Sequence, residues 1–239
     1  MILRLTKEMT ARNSPNSHTR RFLLVVFAGL MTCCVAACSV TLKDAVVYHS
    51  LSYPGPSKES ASAMPGTLMV YRFLFSPLLD LQYLVVDGAG GKNEALTYHR
   101  WSDNPANMIT DLIERDIRNA GLFKETIGQF TNSPYRYALE GKILDMRGAV
   151  NEGKAKAILE VEIALVDFEA PRGEDQTLLK RRYRIETPCG KSEPPEIIAA
   201  LNRGIGELSK RLRNDIRSHA ATTGAKEEGD KVPPEPKKP

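Results

Sequence analysis

The sequence predicts one α+β domain: a largely antiparallel, strongly twisted sheet with two helices packed on one face. Three observations carry that prediction. Apolar and polar residues alternate over 135–143, 155–167 and 178–186, the period of a half-buried strand. Asn151, Glu152 and Gly153, between the first two, have the composition of a hairpin turn. In 105–120 and from 194 to about 217 the apolar residues recur at three and four instead, the period of a helix.

The elements follow in order. Residues 67–73 are rich in β-formers, follow Pro65 and Gly66, and read as a strand buried on both faces or nearly so. Residues 81–86 form a second strand, 87–91 supply turn chemistry that permits positive φ, and 95–99 return. Asn104 suits an N-cap and Pro105 the first helical position. Met108, Ile109, Leu112, Ile113, Ile117 and Ala120 then share one face, and Gly121 sits where a left-handed residue ends a helix. A short strand near 124–127 precedes the three long ones. Tyr135, Tyr137, Leu139, Gly141 and Ile143 lie on one side of the first. Glu160 and Glu162 oppose Leu159, Val161, Ile163 and Leu165 in the second, where they read as a wet sheet face. Lys180, Arg182 and Arg184 oppose Arg181, Tyr183 and Ile185 in the third. Ile197, Ile198, Leu201, Ile205, Leu208, Leu212 and Ile216 stripe the second helix, whose C-terminal half carries Lys210, Arg211, Arg213 and Arg217, well placed for its dipole.

Of the 239 residues, 42% are hydrophobic and 26% charged, the balance of an ordinary globule. The net charge of +4 belongs to the N-terminus. Five of the 33 bases and one of the 29 acids fall in 1–37, leaving 28 of each. No surplus of Lys and Arg remains to face phosphates, so nucleic-acid binding is not expected.

The N-terminus has the parts of an export signal: Arg20 and Arg21, an apolar run over 22–30, and small Ala36 and Ala37 before Cys38. Met9 is an alternative start. The run to Cys38 is barely long enough to span a bilayer as an uncleaved anchor. Val35, Ala36, Ala37 and Cys38 resemble the lipobox of bacterial lipoproteins. That resemblance implies a diacylglycerol thioether and an N-acyl lipid on Cys38, and no other cofactor. Ser39, rather than an Asp, points to the outer membrane. The expected division is a signal peptide over 1–37, a lipid-anchored tether over 38–64 with a short strand within 48–54 as an option, the folded domain over 65–219 and a disordered tail over 220–239. Cys189, in a turn-like context, is the remaining cysteine and has nothing near it in sequence to make it nucleophilic.

No catalytic motif is present, and His18, His49, His99 and His219 are scattered, so neither an enzyme nor a metal site is expected. Tyr98, His99, Arg100 and Trp101 form the one dense cluster. It suits a partner-binding surface, and it equally suits an anchor in which Trp101 holds the start of the first helix against the sheet.

Residues 65–73, then 98–101, then 105–116 with Gly121, Leu122 and Phe123, and finally 137–141, resemble the ABC-type transport auxiliary lipoproteins, the PqiC/YmbA-like group. The likeness covers roughly 48–215. It implies a non-enzymatic accessory role beside an ABC permease and an MCE-family periplasmic protein that move lipid between membranes. It also implies a periplasm-facing place in the envelope and a homo-oligomeric ring as an option. The alternatives are a structural or assembly lipoprotein that binds envelope proteins without handling lipid, and a tethered hydrolase.

Overall fold

The computed structural model describes residues 45–58, 63–75, 82–87, 92–151, 154–170 and 176–229. The expected signal peptide, Cys38, the turns expected at 88–91 and 152–153, and the end of the expected tail lie outside them. Within them the chain forms nine strands: β1 (Val47–His49), β2 (Met64–Val70), β3 (Leu74–Phe75), β4 (Tyr83–Asp87), β5 (Asn93–Trp101), β6 (Phe123–Gly128), β7 (Tyr137–Asn151), β8 (Lys154–Asp167) and β9 (Thr177–Cys189). The helices are α1 (Pro105–Ala120) and α2 (Pro194–Gly229).

β7 organises the sheet. One flank pairs antiparallel with β8, which pairs antiparallel with β9. The other flank is long enough to serve three short strands in turn: β2 beside 137–139, β3 beside Lys142 and Ile143, and β4 at Gly148, all parallel. Beyond β2 lies β6, and beyond β4 lie β5 and then β1. The long pairings are antiparallel, and the parallel ones are brief.

Both helices cover one face. α1 lies on β6 and against α2, and α2 spans β8 and β9. The α1 caps are those the sequence predicts: the Asn104 side chain accepts from the Ala106 amide, and Gly121 takes φ 67°. Every apolar residue named on the second helix is buried, from Ile197 to Ile216. They meet Leu139, Ile143, Leu159, Val161, Ile163 and Leu165 from the sheet in one core. Thr110 buttresses the turn after β2: its hydroxyl donates to the Ala106 carbonyl at 2.7 Å and accepts from the Phe73 amide at 2.9 Å.

The core-facing side of β7 has no room at Gly141. A Cβ there would stand 2.6 Å from the Phe73 ring, and that ring is itself buried. Gly141→Ala is therefore expected to lose about 1–3 kcal/mol by overpacking, read from the urea midpoint. A second substitution, Phe73→Leu, should recover part of that loss.

The structure departs from the sequence reading in several places. The helix expected to end near 219 runs to Gly229, because Ala220, Ala221, Ala225, Lys226, Glu227 and Glu228 are good helix formers that extend an existing helix without a new nucleus. Cys189 is the last residue of β9, paired with Ala155, rather than part of a turn. Pro188 is tolerated beside it because, among the described residues, β9 pairs with β8 alone and needs no donor on its outer side. Residues 46–58, most of which read as tether, pack onto the body, with β1 overlapping the start of the optional strand in 48–54. Glu160, read as wet, is buried between two arginines.

Candidate functional site

The four residues singled out in the sequence occupy the end of β5. Trp101 is buried, and its amide donates to the Gln82 carbonyl. Arg100 lies over the Tyr83 ring at 5.0 Å. His99 stacks on His49 of β1, with Nε2 of His49 3.0 Å from Nδ1 of His99. Partial burial, then the neighbouring His99, lowers the His49 pKa. Three of the four thus spend their polar or aromatic surface inside the chain, and Tyr98 is exposed.

A second cluster, which no sequence motif marks, sits where the β2–β3 segment, the β6–β7 connection and the end of β8 meet. The Tyr71 and Tyr135 hydroxyls are 2.6 Å apart. The Tyr135 ring meets Phe168 edge-on at 5.8 Å. Arg72 is ion-paired to Asp111 and lies over the Phe130 ring at 5.2 Å. Phe130 is 87% exposed, Leu74 66% and Phe168 49%. Beside them a groove of about 640 Å3 opens, lined by Tyr71, Arg72, Leu74, Glu162, Ala164 and Lys180. By register Glu162, Ala164 and Lys180 belong to the sheet face turned away from the helices. Exposed aromatics with an arginine have the composition of protein-binding surfaces. The one signal of it in the sequence is Phe130, an aromatic directly after a Gly–Gln turn, where no core position calls for it.

Below this cluster Arg136 clamps Asp167 with three hydrogen bonds, Nε to Oδ1 at 3.0 Å and to Oδ2 at 3.1 Å, and Nη2 to Oδ2 at 2.7 Å. The pair fixes the end of β8 against the start of β7, and so sets Tyr135 and Phe168. Burial opposes ionisation of Asp167, but the Arg136 hydrogen bonds outweigh it and hold the carboxyl below its ordinary range. On the open face, Glu160 accepts from Arg182 and, at 2.9 Å, from Arg184. There too burial raises and the two arginines lower, with the net shift downward.

Among the described residues no group of three or more His, Cys, Asp or Glu converges as a metal site would. No helix among them is long and apolar enough to cross a membrane. Burial pushes the Cys189 thiol up, away from the thiolate that nucleophilic chemistry needs.

These shifts give stability a pH profile with a sign on each side. Glu160 and Asp167 have depressed folded-state values, so their stabilisation is full above the ordinary 4.5 and 3.8 and drains as pH falls below them, where the unfolded chain takes up protons first. His49, also depressed, adds loss below 6.5. Asp145, raised by burial, works in the opposite direction. Burial, then hydrogen bonding to a carboxylate, raises Tyr53 and Tyr183, so stability also falls as pH rises above 10. Urea midpoints across pH should fall on both sides of neutrality, and an Asp167→Asn variant should show a shallower acid limb.

Comparison with known proteins gives the family. No curated protein matches the chain. A crystal structure of protein XCC0632 from Xanthomonas campestris has a TM-score of 0.63 at 11% identity, over 75% of this chain and 99% of that one. A crystal structure of an uncharacterized protein has a TM-score of 0.53 at 13% identity, over 71% and 97%. At such identities these show a shared fold. The model of the ABC-type transport auxiliary lipoprotein component family matches residues 49–212. That match spans well over half of the chain, which therefore belongs to this family: a lipoprotein of the cell envelope associated with an ABC transport system.

Proposed function

We propose that the protein is a non-enzymatic accessory lipoprotein of an MCE-type system that moves lipid between membranes, held at the periplasmic side of the outer membrane by lipid on Cys38. In this reading its body docks on the periplasmic MCE component through the surface around Tyr71, Arg72, Leu74, Phe130 and Phe168. The observation that carries the docking is the exposure of Leu74, Phe130 and Phe168 on the surface that holds Arg72, where a lone globule gains nothing from them. The family carries the association with transport. The outer edge of β9, unpaired among the described residues, is available for a ring of copies, although Lys180, Arg181, Arg182 and Arg184 charge it in the manner of a protected edge.

The test is a mild-detergent pull-down of the full-length protein from its own membranes, with mass spectrometry of bound proteins and lipids. Phe130→Glu and Cys38→Ala serve as comparisons. An MCE protein or ABC permease should co-purify. Phe130→Glu should reduce its recovery about tenfold, the effect of removing one strong contact residue, without altering the fold, because the Phe130 ring is almost wholly exposed beside Arg72. Cys38→Ala should release the protein from the membrane fraction. Recovery of other envelope proteins, with no transport component and no lipid, would move the assignment to a structural or assembly lipoprotein.

A further inference from the structure

Val46 opens the body and leads into the edge strand β1, and Val46, Val47 and Tyr48 are 39%, 45% and 64% exposed. β1 pairs with β5 in parallel, Val47 beside His99, which brings exposed Tyr98 next to them. Ala95 and Thr97 are exposed along the same edge. Between Glu94, exposed further along β5, and Arg100, the register partner of Tyr48 that lies over the Tyr83 ring, the side chains of this surface carry no formal charge, and its two aromatics are tyrosines, the residue type that rests an apolar ring in acyl chains and a hydroxyl among headgroups. It is separate from the Phe130 surface, which lies beside the first part of β7, with β4 and β5 between β7 and this edge.

We infer that this β1–β5 edge rests on the lipid bilayer that carries the anchor. The inference depends on the assignment of Cys38 as the lipidated residue. Val46 lies eight positions after Cys38, and a chain of that length spans at most ~29 Å fully extended. The first side chains of the body after the anchor are therefore held within that reach of the headgroups, at a local concentration where even weak partition is effective. An apolar edge that stays in water would be a standing site for strand addition; laid on the bilayer it is covered. Contact at this edge adds little to the anchor's affinity. Its role is orientation: it fixes which side of the sheet faces the membrane and leaves the Phe130 surface free for a protein.

The full-length lipidated protein, placed in vesicles of phosphatidylethanolamine and phosphatidylglycerol containing brominated acyl chains, tests this directly. Tyr48→Trp and Phe130→Trp are compared with the native protein, whose one tryptophan, Trp101, is buried and reports the background. The indole introduced by Tyr48→Trp should lose about half its emission, as expected for a ring ~5–10 Å below the headgroups. The one introduced by Phe130→Trp should lose none beyond background. Vesicle flotation and the mass of the N-terminal peptide report the anchor separately. A floating, lipidated protein whose Tyr48→Trp signal is unquenched, or quenched no more than Phe130→Trp, overturns the orientation while leaving the anchor intact. An unmodified Cys38 overturns both.

Discussion

Asp116→Ala should cost about 3–5 kcal/mol, the loss expected when a buried, hydrogen-bonded charge is removed from its partners. Asp116 is 1% exposed and stands at the junction of three segments. It accepts from the Tyr53 hydroxyl at 2.7 Å, the Ser209 hydroxyl at 2.6 Å and Nε of Arg115 at 2.9 Å. Arg115 in turn donates to the Tyr53 carbonyl at 3.0 Å and lies over the Tyr53 ring at 4.8 Å. Removing the carboxylate strands two hydroxyls and leaves a partly buried arginine without its counter-charge. A domain of this size has about 5–15 kcal/mol in all, so the variant should lie near the edge of folding. Asp116→Asn keeps an acceptor and should lose less. Tyr53→Phe deletes one donor and should lose about 1 kcal/mol. Hydrogen exchange should separate the effects: in Asp116→Asn and Tyr53→Phe the amides of 51–53 open first, while β7 and β8 stay protected.

Trp101→Ala is the second large loss, about 3–5 kcal/mol. Its ring is buried where β1, β4, β5 and the start of α1 meet, three residues before the Asn104 cap. Truncation empties that corner of the core. Because Trp101 is the only tryptophan, the measurement is unfolding followed by far-ultraviolet circular dichroism rather than fluorescence. Trp101→Phe keeps most of the ring and should lose less than half as much. If Trp101→Ala is as stable as the native protein, the corner is not part of the core and the packing described for it is wrong.

Periodicity makes most of this fold legible in the sequence. The α1 and α2 stripes, the caps at Asn104 and Gly121, and the three long strands each rest on a local rule that tertiary packing does not override. What is illegible depends on residues far apart in the chain. The parallel pairing of β7 with β2, β3 and β4 leaves no local trace, since nothing in 137–151 says which strands lie beside it. Asp116 is readable in principle: it falls among Leu112, Ile113, Ile117 and Ala120, on the apolar face of α1, where a carboxylate must find donors. Ser209 stands the same way beside Leu208 and Leu212 on α2. That Tyr53 is the third member is not readable, because 46–58 carry no periodicity and have the composition of a tether. Arg213, which the sequence marks only as one of the basic residues suited to the α2 dipole, is buried, and helical position alone does not reveal what packs against it.

The docking of 46–58 has a temporal consequence. The Ser52 amide bonds Asn202, 150 positions later in the chain, and Tyr53 is joined through Asp116 to Ser209. A polypeptide made N-terminus first, at about 5–20 residues per second, waits roughly ten to thirty seconds between the appearance of these partners. During that interval Leu51 and Tyr53 lack the partners that α2, the last described element to emerge, brings to them.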